Sequence, residues 1–230
     1  MKKYFAELIG TMVLVLIGCG TAMAVGCDPV AGCGYILTAF AFGLGLLTMA
    51  YSIGNISGCH INPAVSLAML IQKKISVKDF FGYVVFQIIG ALVGAGLLAL
   101  IFRGAGIVDM TGGFGSNGLS GVNNNIWVGI LVEILLTFVF VMSILGVTSS
   151  KAKHGNVAGI VIALSLVAVH ILGIWLTGTS VNPARSIGPA IVAAFSGNST
   201  PIAEVYVFIV GPLIGGALAA YTYKLLEKAK

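Results

Sequence analysis

Long apolar segments separated by short polar ones make up most of this 230-residue chain. Six of the apolar segments reach the ~20 residues that a helix needs to cross the hydrocarbon core of a bilayer. Two shorter segments, residues 63–71 and 183–194, cover only about half of that thickness. The pattern predicts an all-α membrane protein with six transmembrane helices and two re-entrant half-helices. The predicted spans are residues 4–25, 34–53, 80–102, 126–147, 157–176 and 202–225.

Each half-helix begins inside a ten-residue segment that occurs twice in the chain. Residues 57–66 read SGCHINPAVS, and residues 177–186 read TGTSVNPARS. Five of the ten positions are identical, and such self-similarity indicates a duplicated unit. Asn is a favoured N-cap and Pro suits the first helical position, so the shared Asn-Pro-Ala predicts a helix start. The two predicted helix starts are Asn62, Pro63 and Ala64, and Asn182, Pro183 and Ala184.

The residues before each half-helix are polar, although apolar sequence surrounds them. Non-helical backbone at membrane depth must be buried in protein or line a watery cavity. Two such segments therefore predict a pore between the half-helices. The predicted pore-lining loop residues are Gly58, Cys59, His60, Ile61, Gly178, Ser180 and Val181.

The composition fits this class, because 58% of the residues are hydrophobic and only 8% are charged, against about 25% charged in a soluble domain. The net charge of +5 follows the topology rather than a nucleic-acid surface. All ten lysines fall at the chain ends or in loops that six spans place on one side. Cytoplasmic loops are rich in Lys and Arg. We therefore predict a multi-pass protein of the cell inner (plasma) membrane with both termini in the cytoplasm and no nucleic-acid partner.

Six spans with both termini on one side make the two halves run in opposite directions. The chain is then one channel domain, residues 1–230, with inverted repeats at about residues 1–103 and 126–230. The half-helix N-termini meet at the midplane. Residues 104–125, here named the connecting loop, join the repeats on the predicted outer side. Their Gly, Asn and Ser content fits either a flexible connector or a folded cover over the outer mouth.

Asn62 and Asn182 are the main candidates for binding a permeating molecule. Each side chain caps its helix and still offers N–H donors. Where the positive ends of two half-helix dipoles meet, a water molecule would accept hydrogen bonds from both amides. Opposed positive ends also repel cations and protons. The sequence contains no metal-ligand spacing and predicts no catalytic residue and no cofactor.

Glu7 and Glu133 are the acidic residues predicted deep within spans, where a carboxylate is costly and usually paired or functional. One interpretation is structural, with each carboxylate accepting hydrogen bonds from the neighbouring re-entrant loop. The other is a proton relay, for which the membrane region offers only His60 and His170 as partners.

Arg185 lies on the first turn of the second half-helix, where a buried guanidinium must face polar surroundings. His170 and Phe42 each lie about two turns from the outer end of their spans, at the same predicted depth, and Thr179 can join them. A satisfied core histidine is the alternative for His170. Cys27 and Cys33 have a spacing that permits a disulfide, without requiring one.

On these motifs the sequence resembles the aquaporins, or major intrinsic proteins, over its whole length, and bacterial aquaporin Z-type water channels in particular. The resemblance implies a tetramer with one pore in each subunit. It also implies a selectivity filter at Phe42, His170, Thr179 and Arg185. Glycerol-conducting relatives usually carry Asp after this Arg, whereas Ser186 stands here. Ile209 stands where many water channels have Trp, which favours a wider pore.

The leading hypothesis is a passive water-selective channel, not an enzyme, that excludes protons and ions. An aquaglyceroporin that passes glycerol or other small neutral solutes is the alternative within the family. A coupled transporter also uses broken helices, but the predicted centre offers neutral Asn rather than ionisable groups. The predicted partners are water, possible small neutral solutes, membrane lipid and further copies of the chain in a homotetramer.

Overall fold

A computed structural model describes residues 1–27, 33–152 and 155–228, without the side chains of Cys33 and Lys228. Asp28, Lys153, His154 and Lys230, which the sequence assigns to loops or to the chain end, lie outside these residues, as does any Cys27–Cys33 pairing. Helices make up most of the described chain. They are α1 Lys2–Val25, α2 Cys33–Ser57, α3 Pro63–Ile71, α4 Val77–Gly104, α5 Ile126–Val147, α6 Ala158–Thr177, α7 Pro183–Phe195, α8 Thr200–Glu204 and α9 Val207–Lys228.

Six of the described helices are long and apolar enough to cross a membrane, which confirms the predicted spans. Their outer surfaces carry large apolar side chains, while polar side chains such as Glu7, Gln87 and Glu133 are buried inside. This arrangement suits a lipid surround. Among the exposed apolar residues are Leu37, Leu44, Val85, Leu100, Leu135, Leu164, Leu172 and Leu218.

The sixth span differs from its prediction, because residues 202–225 do not form one helix. A turn at Val205 and Tyr206 separates α8 from α9. The amide of Phe208 donates to the Val205 carbonyl oxygen at 3.0 Å, which closes a turn tighter than an α-helix. Apolar residues continue across the turn, so hydropathy does not reveal it.

The two halves of the chain use the same packing scheme. Helix α1 packs against α2 and α4, and α5 packs in the same way against α6 and α9. The half-helices cross between the halves, with α3 against α9 and α7 against α4. This exchange places the N-termini of both half-helices at the centre of the bundle, as the inverted repeat predicts.

Glycines allow the long helices of each half to approach closely. A Cβ atom on Gly90 of α4 would lie 2.2 Å from the Leu8 carbonyl oxygen of α1. A Cβ atom on Gly215 of α9 would lie 2.4 Å from the Ile134 carbonyl oxygen of α5. Small residues at these positions let backbones touch, which is how membrane helices gain packing energy.

Gly90→Ala is expected to lower the stability of the fold by about 1–3 kcal/mol, because the added methyl group overpacks the α1–α4 contact. The matched control is Gly96→Ala in the same helix, where the added Cβ would meet no described atom within 4 Å beyond its chain neighbours and the nearby backbone of its own helix. Ala is the better helix former, so this control should be neutral or stabilising. Thermal unfolding of both purified variants in detergent measures the difference, and equal midpoints would contradict the expectation.

Opposite ends of the bundle differ in charge and in cover. One end, named the basic face, carries Lys3 and Lys151. Lys3 forms an ion pair with Asp79 at 2.7 Å, and Lys151 forms one with Glu227 at 4.0 Å. At the other end, named the opposite face, the connecting loop folds over the helices. Its Met110 amide donates to the Met23 carbonyl at 2.9 Å. This geometry matches the folded-cover interpretation of the loop.

Candidate pore

The two predicted N-caps form, and they also bind each other's loops. Asn62 Oδ1 accepts a hydrogen bond from the Ala64 amide at 2.8 Å, and Asn182 Oδ1 accepts one from the Ala184 amide at 3.1 Å. Asn62 Nδ2 then donates across the centre to the Val181 carbonyl at 2.7 Å. Asn182 Nδ2 donates to the Ile61 carbonyl at 2.9 Å. The sequence predicts the caps but not these reciprocal bonds, which tie the halves together.

Four non-glycine residues before the caps adopt left-handed backbone conformations. Cys59 and Ile61 have φ of 49° and 43°, and Thr179 and Val181 have φ of 46° and 45°. These are positions −3 and −1 from Asn62 and Asn182, so the strained conformation repeats in both halves. For β-branched residues it costs roughly 1–3 kcal/mol each. Such strain persists only where surrounding bonds hold it, and it is typical of functional sites.

Glu7 supplies part of that support in the first half. Its carboxylate accepts hydrogen bonds from Ser57 Oγ at 2.6 Å, the His60 amide at 2.9 Å and the Ile61 amide. Gln87 Nε2 adds a fourth bond at 2.7 Å. Glu7 is fully buried, so these donors replace the water that the carboxylate lost.

Glu133 occupies the same place in the second half. It accepts hydrogen bonds from Thr177 Oγ1 at 2.7 Å, the Ser180 amide at 2.9 Å and the Val181 amide at 2.8 Å. Pro212 stands where the repeat has Gln87, so this half lacks the fourth donor. Both carboxylates hold a re-entrant loop, which is the geometry of the structural interpretation.

Phe42, His170 and Arg185 lie together on the side of the centre toward the opposite face. The Phe42 and His170 rings stack with centroids 4.5 Å apart. The Arg185 guanidinium carbon lies 4.8 Å from the Phe42 ring centroid, within range of a cation–π contact. Arg185 Nη1 donates to the Gly115 carbonyl of the connecting loop at 2.9 Å. All three predicted side chains are buried.

The hydrogen bonding of His170 defines its tautomer. Nδ1 lies 2.9 Å from the Leu166 carbonyl oxygen, which can only accept, so Nδ1 carries a proton. Nε2 is buried and has no hydrogen-bond partner among the described residues. In the neutral ring Nε2 is an acceptor, so a molecule beside it can donate to it.

Thr179 is placed differently from the other predicted filter residues. Its Oγ1 would lie 2.4 Å from a Cβ atom on Gly173 of α6, so the hydroxyl group packs against that helix. The oxygen is buried without a partner among the described residues. The side chain of Thr179 therefore does not join the stack of Phe42, His170 and Arg185.

Two cavities lie in this region. A narrow cavity of about 10 Å³ borders both Asn62 and Asn182, and this is close to the smallest volume that holds one water molecule. A wider cavity of about 560 Å³ opens toward the opposite face. Arg185 borders both cavities.

The predicted loop residues divide between these cavities. His60, Ile61, Ser180 and Val181 border the narrow one, and Gly178 borders the wider one. Gly58 and Cys59 line neither of the two. Asn62, Asn182, Phe42, His170 and Arg185 all border the narrow cavity.

His60 lies on the side of the centre toward the basic face, and two contacts fix its ring. Nδ1 lies 3.1 Å from Ser66 Oγ. The Tyr83 ring approaches edge-on, with centroids 5.0 Å apart. Tyr83 Oη also donates to the Ser57 carbonyl at 2.6 Å. The sequence places His60 in the pore but does not reveal the role of Tyr83, which lies on another helix.

Cys27 lies at the edge of the site. Cys27 borders the wider cavity with Sγ 3.6 Å from Thr38 Oγ1. Burial raises the pKa of the Cys27 thiol, although the Thr38 hydroxyl group acts in the other direction. Within residues 1–27, 33–152 and 155–228, no cluster of three or more His, Cys, Asp or Glu side chains could hold a metal ion.

Comparison with known proteins agrees with this geometry. The model of the major intrinsic protein family matches residues 1–223. The chain belongs to the major intrinsic protein family. The resemblance predicted from the repeated motifs is thereby confirmed.

Curated members of the family align with nearly the whole chain. An Aquaporin Z from Rhodopseudomonas palustris is 42% identical over 229 residues, which are 98% of this chain and 93% of the relative. An Aquaporin Z from Bradyrhizobium diazoefficiens is 42% identical over 231 residues, 99% and 94% of the two chains. One from Brucella melitensis is 40% identical over 227 residues, 97% of each.

A solved structure supports the fold independently. The X-ray structure of the aquaglyceroporin from Plasmodium falciparum matches with a TM-score of 0.87. The match covers 96% of this chain and 94% of that one, at 20% sequence identity. This likeness shows the family fold of six spans and two half-helices, and it does not bear on solute choice.

Proposed function

We propose that the protein is a passive channel that conducts water in single file and excludes protons and ions. The narrow cavity bordered by Asn62 and Asn182 carries this proposal, because its volume of about 10 Å³ suits one water molecule at a time. Family membership and the aquaporin Z relatives support a channel rather than an enzyme.

In this proposal, Asn62 and Asn182 orient the water at the centre. Each amide group donates one hydrogen to the opposite loop and keeps a second for the permeating water. The N-terminal ends of α3 and α7, which carry partial positive charge, face the same point. A water oxygen turned toward both amides interrupts proton hopping along the file, and the positive ends repel cations.

Phe42, His170 and Arg185 set the size limit. The stacked rings form one wall, and the guanidinium group brings a fixed positive charge. His170 Nε2 accepts a hydrogen bond from passing water. Thr179 also belongs to the proposed filter. This assignment rests on its position three residues before Asn182 and not on a contact of its hydroxyl group.

The assembly and orientation form part of the same proposal. Residues 1–230 act as one channel domain, with repeats at about 1–103 and 126–230, and four copies form a homotetramer. The basic face is cytoplasmic, together with both termini, because lysines concentrate there. The bacterial relatives support placement in the inner membrane.

Osmotic shrinkage of proteoliposomes tests the proposed function. Purified protein is reconstituted and followed by stopped-flow light scattering, first with an impermeant osmolyte and then with glycerol. Fast shrinkage with low activation energy, and glycerol re-entry no faster than in empty vesicles, is the expected result. Fast glycerol re-entry would instead support the aquaglyceroporin alternative, for which Ile209 is the observation in favour. Water flux that depended on a proton or sodium gradient would contradict a passive channel.

A further inference from the structure

Asn117 of the connecting loop makes two hydrogen bonds in the second half whose counterparts in the first half come from side chains of the repeat itself. Its side chain is 4% exposed. Asn117 Oδ1 accepts a hydrogen bond from Ser186 Oγ of α7 at 2.7 Å, and Asn117 Nδ2 donates to the Thr177 carbonyl oxygen at the end of α6 at 3.2 Å. One side chain therefore joins the half-helix to the helix before it.

In the first half, two residues of α4 make the equivalent contacts. Gln87 Nε2 donates to Ser66 Oγ at 3.0 Å, and Tyr83 Oη donates to the Ser57 carbonyl at 2.6 Å. Ser66 and Ser57 are the repeat partners of Ser186 and Thr177. Asn117 thus replaces both α4 side chains, although it lies in the connecting loop and outside either repeat.

Pro212 occupies the position in α9 that corresponds to Gln87 in α4. This substitution explains why a residue from outside the repeat makes the hydrogen bond to Ser186. Pro212 has no side-chain donor and no N–H group, so it can bond neither Ser186 nor the Phe208 carbonyl one turn earlier. The Phe208 carbonyl oxygen lies 3.4 Å from Ser180 Oγ instead. Ser186 Oγ also lies 2.6 Å from Ser180 Oγ, and the bond that a Gln87 counterpart would make to Ser186 is made by Asn117.

The loop segment that carries Asn117 also holds Arg185. Gly115, two residues earlier, accepts the 2.9 Å hydrogen bond from Arg185 Nη1. A Cβ atom on Gly115 would lie 2.8 Å from Cys19 Cβ of α1. The segment is therefore pressed against α1 on one side and anchored by Asn117 on the other. Ser186, which Asn117 binds, directly follows Arg185 in the chain.

We propose that Asn117 is a positioning residue for Arg185 and thereby sets solute selection in the pore. This inference rests on the proposed channel function. With Asn117 in place, the Gly115 carbonyl and the first turn of α7 hold the guanidinium group from two directions. Without it, the segment and α7 separate, and Arg185 spends more time away from the Phe42 ring.

The test is the ratio of glycerol to water permeability in proteoliposomes, each corrected for the flux through empty vesicles so that the ratio does not depend on the amount of active protein. Asn117→Ala is expected to raise this ratio by about three- to tenfold, the factor that corresponds to one net hydrogen bond. Asn117→Asp keeps the acceptor for Ser186 and loses the donor to Thr177, so its ratio should lie between wild type and Asn117→Ala. Thermal unfolding of each variant shows that it is folded.

Ser116→Ala is the matched control, because Ser116 Oγ has no hydrogen-bond partner in the described chain. Its ratio should equal that of wild type. An unchanged ratio in folded Asn117→Ala, with a water-selective wild type, would overturn the inference and leave the proposed function intact. Failure of both Asn117 variants to fold would also overturn it, since Asn117 would then act on the fold alone. A wild type without water flux would refute the proposed function itself.

Discussion

A double variant, His170→Ala with Arg185→Ala, is expected to pass glycerol well above the empty-vesicle level while it still conducts water. The proposed filter is bounded by the Phe42–His170 stack, with ring centroids 4.5 Å apart, and by the Arg185 guanidinium group 4.8 Å from the Phe42 ring. Removing both side chains opens the narrow cavity on two sides. Stopped-flow light scattering under a glycerol gradient measures the gain.

Loss of Arg185 should also weaken cation exclusion. A unit charge about 4 Å from a passing cation repels it by roughly 4 kcal/mol at the effective dielectric constant of a protein site, which is a factor of almost 10³. The half-helix dipoles remain in this variant and continue to oppose cations, so 10³ is a ceiling on the gain in cation flux. Ion flux in proteoliposomes under a salt gradient measures this second effect.

Leu172→Ala provides the control on α6, two residues from His170, because Leu172 is 62% exposed on the outer surface of the bundle. It should change neither glycerol nor ion permeability. Unchanged exclusion of glycerol and cations in the folded double variant would show that the constriction lies elsewhere along the pore.

The starts of the two half-helices could be predicted to the residue because their start signals are local, whereas α7 ends at Phe195, one residue beyond its prediction. Asn-Pro combines an N-cap with a favoured first residue, and α3 and α7 begin at Pro63 and Pro183 as predicted. The spans could be predicted from hydropathy for a similar reason. The turn at Val205 could not, because apolar residues continue on both sides of it.

The conformation of the loops before the caps runs against local preference. Ile61 and Val181 are β-branched and favour extended backbone, yet both have positive φ. Their amides are bound by Glu7 and Glu133, and their carbonyls by Asn182 and Asn62. Tertiary bonds on both sides of the residue therefore override propensity, which a single sequence does not record.

Composition alone could not decide whether the connecting loop is a flexible connector or a folded cover. Gly, Asn and Ser suit flexible linkers and tight turns equally. The decisive contacts are long-range, such as Asn117 with Ser186, 69 residues apart. The repeat does carry one sequence signal for this contact. Pro212 occupies the position of Gln87, so Ser186 lacks the α-helical partner that Ser66 has in Gln87.

Glu7→Ala is expected to be among the most destabilising single substitutions in the protein. It removes the shared acceptor of Ser57 Oγ, the His60 and Ile61 amides and Gln87 Nε2. Each buried donor left without a partner costs about 1–3 kcal/mol. Three or four such losses approach the whole stability of a typical fold, about 5–15 kcal/mol. Purified Glu7→Ala should unfold at much lower temperature or fail to accumulate.

Two further substitutions separate the role of the Glu7 carboxylate from a general effect of charge. Glu227→Ala removes an exposed acid paired with Lys151 at 4.0 Å, and such pairs contribute less than about 1 kcal/mol. Glu7→Gln keeps the size but turns an NH₂ group toward donors, so it should also destabilise. A folded Glu7→Gln channel that had lost a wild-type proton flux would instead support the proton relay. The strained loop before Asn62 depends on the hydrogen bonds that the Glu7 side chain accepts, and these bonds favour a structural role for Glu7 over a proton relay.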